Sequence, residues 1–288
     1  MVPKLRVIYA KIKKFPYGKE NPLLIDSHSH SRFSFDSMAD CEKNILAGMD
    51  AGLDGLAFTD HIDRVDGPLD NTFDFDEYFR VLLPLKERYE DKIQLLLGAE
   101  MGFNIKKNDW IEAAMADDRF DFFIGSLHTL DDKDVATTLR QGGTMDLHSY
   151  YRRYYDAMVA AAENTSGFHV LGHVDYLDRY VPDKSAIPPF AFYRDQVAAV
   201  LENIIRRDLV LEYNTAGKYK GLNYGNPKKE ILALYRDLGG KNICLSSDAH
   251  KSEHIGRDFS SAKDYLRELG FTHIRYFKKK VPTDAPLA

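Results

Sequence analysis

The chain has 288 residues and a mass of 32.9 kDa, enough for one large domain or two ordinary ones. With 44% hydrophobic and 29% charged residues it reads as a globular protein, which excludes a disordered or fibrous chain. A net charge of −5 lacks the broad positive field of a non-specific nucleic-acid binder, and no apolar run approaches the roughly 18 residues of a membrane span.

The first stretch, Met1–Glu20, carries Lys4, Arg6, Lys11, Lys13, Lys14 and Lys19 against the single acid Glu20. It has neither the apolar segment nor the small-residue cleavage site of a secretory signal, so residues 1–22 read as a solvated N-terminal extension of the mature chain. Short β-type runs come next, at Leu23–Ile25, Leu56–Phe58, Leu95–Leu97, Phe122–Ile124, His169–Leu171, Leu209–Leu211 and Ile243–Leu245, with a further candidate at Ile274–Phe277. They are continuous rather than alternating, as expected of parallel strands covered on both faces. Helical spacing appears between them, in Tyr193, Val197, Val200, Leu201, Ile204 and Ile205, and again in Ile231, Leu232, Leu234, Tyr235 and Leu238. Asn226-Pro227 predicts the start of that second helix, with Asn226 as its N-cap, and Gly239-Gly240 its end. The span from Asp131 to Leu147, with Gly142-Gly143, reads as an irregular surface excursion near the site. Repeated β-then-α units without a linker predict one α/β domain over residues 23–288, its parallel sheet open or closed into a barrel.

The ends of these strands are more informative. In succession they carry Asp26-Ser27-His28-Ser29-His30 with Asp36, Thr59-Asp60-His61, Gly98-Ala99-Glu100, His128, Gly172-His173-Val174-Asp175, Glu212-Tyr213-Asn214 and Ser247-Asp248-Ala249-His250. In a parallel barrel such ends converge on one mouth. Imidazoles and carboxylates together suit divalent zinc, iron or manganese. His28 and His30, and likewise Asp248 and His250, have the spacing that puts both side chains on one face of a strand. Carboxylates can bridge two ions, and paired ions are a common device for hydrolysing phosphate esters. Any one of these signals arises by chance; the metal reading rests on their joint placement at strand ends.

In order and spacing these motifs resemble those of the PHP (polymerase and histidinol phosphatase) superfamily over nearly the whole chain. The stretches Leu171–Tyr180, Leu211–Gly217 and Gly239–His250, with the tail Ile274–Pro282, resemble its monofunctional histidinol-phosphatases most closely. The resemblance implies a distorted seven-stranded (βα) barrel of TIM-like form. It also implies a trinuclear centre of zinc, manganese or iron that hydrolyses L-histidinol phosphate to L-histidinol and phosphate, by attack of a metal-bridging hydroxide. It places His28, His30, Glu100 and Asp248 on the first ion, Glu100 as a bridge with His128 and His173 on the second, and Asp36, His61 and His250 on the third. Asp248, His250 and Glu100 are the implied catalytic residues. Asp26, Asp60 and Asp175, beside the ligands, are expected either to fix imidazole tautomers or to have plain turn or solvent roles. His169 is expected in the core or the barrel interior; His148, His254 and His273 have no motif support, although His254, near the mouth, is a candidate to support a ligand.

Three ligand carboxylates contribute −3 and three divalent ions +6, a local surplus that attracts a phosphate dianion in an acidic protein. Arg179, Lys218 and Asn214 are the candidate substrate contacts, Arg179 as a two-pronged fork on phosphate. The leaving group's proton could come from water on a metal, Asp248 or His250. Phe33, Phe35, Tyr213 and Tyr219 lie near the motifs. Other readings are a nucleotide or phosphotyrosine-protein phosphatase on the same scaffold, or a non-catalytic metal-binding module. The expected partner is a small phosphate ester, with neither nucleic acid nor membrane. The two cysteines, Cys41 and Cys244, point to a reducing, cytoplasmic setting, with Cys244 a buried small hydrophobe. In that setting the Asn164-Thr165-Ser166 triplet is a chance glycosylation match.

Overall fold

The computed structural model describes residues 23–143 and 145–287; the basic extension, residues 1–22, lies outside them. Seven parallel strands form the centre: β1 (Ile25–Asp26), β2 (Gly55–Phe58), β3 (Gln94–Gly102), β4 (Phe122–Ser126), β5 (Val170–Leu171), β6 (Val210–Asn214) and β7 (Ile243–Ser246). They pair in chain order. The two end strands meet as well. Ser27 donates its amide to the Leu245 carbonyl at 3.0 Å, and past the strand ends Asp248 donates to His28 and His30 to Ala249, each at 2.8 Å. The result is a nearly closed barrel, the TIM-like α/β architecture expected.

Strand alternation explains the continuous apolar runs. Ile25, Ala57, Leu96, Phe122, Ile124, Val170, Val210 and Cys244 form one buried cluster inside the barrel. Their strand neighbours Leu56, Phe58, Leu95, Leu97, Phe123, Leu211, Ile243 and Leu245 belong to a second cluster shared with the helices. Each aliphatic side chain buried this way stabilises the fold by about 1.5–3 kcal/mol.

The helices are α1 (Cys41–Asp50), α2 (Phe75–Arg88), α3 (Asn108–Met115), α4 (Val135–Gln141), α5 (Leu147–Asn164), α6 (Arg194–Arg206), α7 (Ala216–Tyr219), α8 (Lys229–Asp237) and α9 (Phe259–Glu268). Asp40, Asp74, Asp134 and Asp146 cap α1, α2, α4 and α5 by accepting first-turn amide protons. As the spacing predicts, α6 buries Val197, Val200, Leu201 and Ile204. Just before it, Tyr193 stacks on Tyr155 of α5 at 4.9 Å.

Four expectations need correction. The second helix starts at Lys229, and Asn226 caps nothing, because its side chain is held by Arg179 and Asp175 and its backbone pairs with Asn214. Among its described residues the span Asp131–Leu147 is largely regular. It contains the second strand of the Thr129–Leu130/Lys133–Asp134 hairpin and the whole of α4, whose buried Val135, Ala136 and Leu139 are too few to show a helical period. Ile274–Phe277 lies outside the barrel sheet, in an antiparallel hairpin of β8 (His273–Lys278) and β9 (Val281–Pro286). That hairpin closes the barrel floor: Phe277 joins the interior cluster and stacks on Phe122 at 6.0 Å. His169 packs edge-on against Phe277 at 5.0 Å, half-buried at the floor rather than among the interior side chains. Cys41 and Cys244 are both free and buried, and among the described residues no helix is long and apolar enough to cross a membrane.

Candidate metal centre

All nine expected ligand side chains meet above the interior cluster. Glu100 is central. It faces inward in register with Leu96, four residues earlier on β3, and is fully buried. One of its oxygens lies 2.8 Å from His173 Nε2 and 3.1 Å from His128 Nε2. The other lies 2.9 Å from His61 Nδ1 and 3.2 Å from His28 Nε2. His28 and His30 bring their Nε2 atoms to 3.0 Å, and Asp248 Oδ1 is 3.3 Å from His30 Nε2. At the outer edge Asp36 reaches His250 Nε2 at 3.1 Å and His61 Nε2 at 3.6 Å. His61 thus stands between Glu100 and Asp36 rather than wholly in the outer group.

The donor set fits divalent ions, because the outward nitrogens of four imidazoles are already fixed. His28 Nδ1 meets Glu212 Oε1 at 2.6 Å, and His128 Nδ1 meets Asp63 Oδ1 at 2.9 Å. His250 Nδ1 meets the Asp248 carbonyl at 3.0 Å. His30 Nδ1 meets Ser34 Oγ at 2.9 Å, a hydroxyl that donates to Asp60 and so accepts from the ring. With the proton on Nδ1, each Nε2 presents a lone pair to the centre. Two facing lone pairs 3.0 Å apart, beside a carboxylate oxygen of Glu100 that accepts no hydrogen bond, call for a cation between them. His30, His61 and His250; His28, Glu100 and His173; His28, His30 and Asp248; and His61, Asp63 and His128 each bring ligand atoms within 4.8 Å of one another.

The carboxylates and imidazoles of the cluster also shift one another's charge. Burial works against charge on His28, but Glu100 and Glu212 outweigh it and hold its pKa well above the usual imidazole range. Burial, with His250 and His61 close by, holds His30 well below it. Burial also opposes ionisation of Glu100, yet His28, His128, His61 and His173 keep it well below the usual carboxylate range. Asp248 is likewise held low, with Lys220 and Arg179 overcoming its burial.

Of the three acids beside the ligands, two take the turn role and one reaches an imidazole indirectly. Asp26 accepts from the Ser247 amide at 2.9 Å and hydroxyl at 2.5 Å, and from the Gly256 amide at 2.9 Å. Asp175 accepts from Asn226 and from the Lys228 amide, both at 2.8 Å. Both fasten backbone rather than imidazoles, and burial pushes both up to about 6. Asp60 reaches an imidazole only through Ser34. The direct partners are Glu212 and Asp63, which the motifs alone do not single out. The signal for Glu212 is a charge inside an apolar strand. For Asp63 it is a carboxylate two residues after His61, with Gly102 nearby: a Cβ at Gly102 would lie 2.0 Å from Asp63 Oδ1, so only glycine leaves room for that carboxylate.

Beside the cluster lies a cavity of about 320 Å³ whose lining includes Phe35, Asp134, Tyr176, Arg179, Tyr180 and Lys220. Arg179 is buried, with Nη1 2.6 Å from Asp248 Oδ2 and Nε 2.7 Å from Asn226 Oδ1; Nη2 has no partner. Two of the fork's three nitrogens are therefore engaged, and a free two-pronged grip through Nε is not available. Lys218 points elsewhere, donating to Ser261 at 3.0 Å, while Lys220 lines the cavity 3.9 Å from Asp248 Oδ2. Asn214 lies outside the lining and accepts from the Ala216 amide at 2.9 Å. Of the four aromatics near the motifs, only Phe35 reaches the lining. Tyr219 donates to the Ser247 carbonyl at 2.5 Å, Phe33 packs edge-on against Tyr78 at 5.2 Å, and Tyr213 faces a separate cavity. His148, His254 and His273 lie against Phe192, Tyr219 and Thr272, away from the cluster.

Residues 26–216 match the family model of the PHP domain. Over 262 residues the chain is 30% identical to the probable histidinol-phosphatase of Thermotoga maritima, spanning 90% of this chain and 98% of that one. Over 258 residues it is 28% identical to the histidinol-phosphatase of Lactococcus lactis, spanning 88% and 94%. It superposes with a TM-score of 0.80 and 26% identity on the histidinol phosphate phosphatase of Lactococcus lactis solved with zinc, L-histidinol and phosphate, covering 90% of this chain and 98% of that one.

Proposed function

Because this chain belongs to the PHP family, whose model matches residues 26–216, we propose that it is a metal-dependent phosphomonoesterase converting L-histidinol phosphate to L-histidinol and phosphate in histidine biosynthesis. The observation that carries the reading is the juxtaposition of a buried arginine nitrogen without a partner and nine convergent ligand side chains, six of which line the same cavity as the arginine. His28, His30, Glu100 and Asp248, then Glu100, His128 and His173, then Asp36, His61 and His250 would hold three ions, zinc being the ion bound in the Lactococcus lactis relative. Bound there, divalent ions supply Lewis acidity: they lower the pKa of a water and offset phosphoryl charge.

The chain's own residues supply the rest. Glu100 brings four imidazoles to one carboxylate and sets the spacing of the centre. Arg179 and Lys220 place two positive charges beside the cluster, where a phosphoryl group needs them as its charge redistributes. Asp248, a ligand on one side and the Arg179 partner on the other, fixes the guanidinium relative to the metal ligands. His250 has both nitrogens engaged, one at the Asp248 carbonyl and one at Asp36, and Asp248 is held ionised. Neither is then placed to protonate the leaving alkoxide, which takes its proton from water in the cavity. Phe35, Tyr176 and Tyr180 offer aromatic surface to an imidazole, and Asp134 a carboxylate to an ammonium. Two free, buried cysteines support a cytoplasmic setting.

A substrate panel tests the reading. L-histidinol phosphate should give a far higher kcat/KM than an aryl phosphate, a nucleotide or a phosphotyrosine peptide. A nucleotide or phosphopeptide turned over best would leave a phosphoesterase of other specificity.

A further inference from the structure

Asn226 is fully buried, lies outside the ligand set and does not line the catalytic cavity. Its amide joins two charged groups. Oδ1 accepts from Arg179 Nε at 2.7 Å; Nδ2 donates to Asp175 Oδ1 at 2.8 Å and to the Asp175 carbonyl at 3.3 Å. This orientation is the only workable one, since a flip would set an NH2 against the guanidinium and an oxygen against a carboxylate. The backbone around it is equally constrained: Asn226 and Asn214 exchange amide–carbonyl bonds at 2.7 and 2.8 Å. Asp175 is anchored in turn by the Lys228 amide at 2.8 Å.

The turn that carries the arginine, Tyr176–Arg179, is held from its other side. Asp178 accepts from the hydroxyls of Tyr151 and Tyr224 at 2.6 and 2.7 Å, and pairs with Lys228 Nζ at 2.6 Å. A guanidinium is planar, so holding Nε on Asn226 and Nη1 on Asp248 sets the direction of Nη2, the nitrogen without a partner. Asp248 alone would leave the plane free to turn about a single contact.

We propose that Asn226 is a positioning residue that, anchored by Asp175, locks the plane of the Arg179 guanidinium so that Nη2 meets a phosphoryl oxygen. This rests on the reading of Arg179 as a phosphate contact, but not on which alcohol the phosphate is attached to.

The test uses the full-length, metal-loaded protein, with p-nitrophenyl phosphate as substrate and inorganic phosphate as competitive inhibitor. Asn226→Ala should raise the phosphate Ki and the KM about tenfold, the equivalent of one lost oriented contact. It should leave kcat within about threefold and the metal content per chain unchanged, a split that mere loosening of the fold would not produce. The decisive comparison is a double-mutant cycle with Arg179→Ala. If Asn226 acts through the guanidinium, adding Asn226→Ala to Arg179→Ala leaves the phosphate Ki where it was. Additive effects, or an unchanged Ki in the single variant, overturn the proposal. Should Asn226→Ala fail to fold, Asn226→Ser is held to the same criteria. If the wild-type protein spares L-histidinol phosphate yet the coupling appears with inorganic phosphate, the substrate reading fails and the positioning role stands.

Discussion

Arg179 Nη1 lies 2.6 Å from Asp248 Oδ2, so a buried cation and an expected metal ligand share one contact. Burial works against the arginine's charge, and Asp248 more than restores it, raising the pKa above the usual guanidinium value. Removing one partner of such a pair costs about 2–5 kcal/mol, largely because the other charge is left buried and unpaired. Arg179→Ala should therefore lose roughly a hundredfold or more in kcat/KM, since each 1.36 kcal/mol is about tenfold in rate. Steady-state kinetics at saturating metal check this. Metal content should stay that of the wild type, because Arg179 itself is no ligand; near-normal kinetics would mean that the metals alone recognise phosphate.

Protein reconstituted with zinc or manganese should bind close to three ions per chain by elemental analysis. Glu100→Ala should lose more than one equivalent, since the carboxylate faces His28, His61, His128 and His173 at once. Ions that bind the folded chain and not the unfolded one add about 2.7 kcal/mol of stability at a hundred times their Kd. Stripping them with a chelator should then lower the Tm by several degrees and abolish turnover, both restored by metal. Saturation at a single ion would contradict the trinuclear reading.

Glu212→Gln tests the imidazole partners. Glu212 accepts from His28 Nδ1, from Ser246 Oγ at 2.6 Å and from the His173 amide at 2.5 Å, so it anchors two metal-site elements. A glutamine keeps the shape but removes the charge that makes His28 a strong donor. Partners of this kind are worth about 10–100-fold in metal affinity. Competition with a metallochromic chelator should show that loss at the first site; an affinity equal to wild type would make Glu212 a packing residue only.

His169 should set part of the acid sensitivity. Its Nδ1 accepts the Phe123 amide proton at 3.2 Å, a bond that only the unprotonated nitrogen can make. Burial, aided by Lys280, lowers its pKa from 6.5 to about 4. The folded chain then binds fewer protons at His169 than the unfolded chain between those two values. Stability is complete above pH 6.5 and falls as pH drops towards 4, by up to about 3 kcal/mol. His169→Gln keeps an acceptor without the titration, so the gap between its urea-unfolding free energy and that of wild type should shrink as pH falls. A gap independent of pH would rule His169 out.

The sequence by itself determined a parallel α/β sheet and the ligand types; the closed barrel was implied by the family resemblance. Apolar runs such as Leu95–Leu97 mark strands buried on both faces, and the polar residue that ends each run has nowhere to go but the mouth. Right-handed βα repetition is compatible with an open sheet or a closed barrel, and it is the resemblance to the PHP motifs that implied the barrel and, with it, the convergence of His28, Glu100, His128, His173 and Asp248. Local signals failed where contacts are long-range. Asn226 has the sequence of a helix cap, but Arg179 and Asp175, 47 and 51 residues away, claim its amide. Glu212 reaches His28 across 184 residues, and Lys220 rather than Lys218 faces the cavity because of how α7 turns. The floor hairpin of β8 and β9 is recognisable only once Phe277 meets the interior cluster. Periodicity encodes which face of an element is buried; which polar partner completes a buried charge is fixed only when distant segments are brought together, and that pairing only the tertiary structure decided.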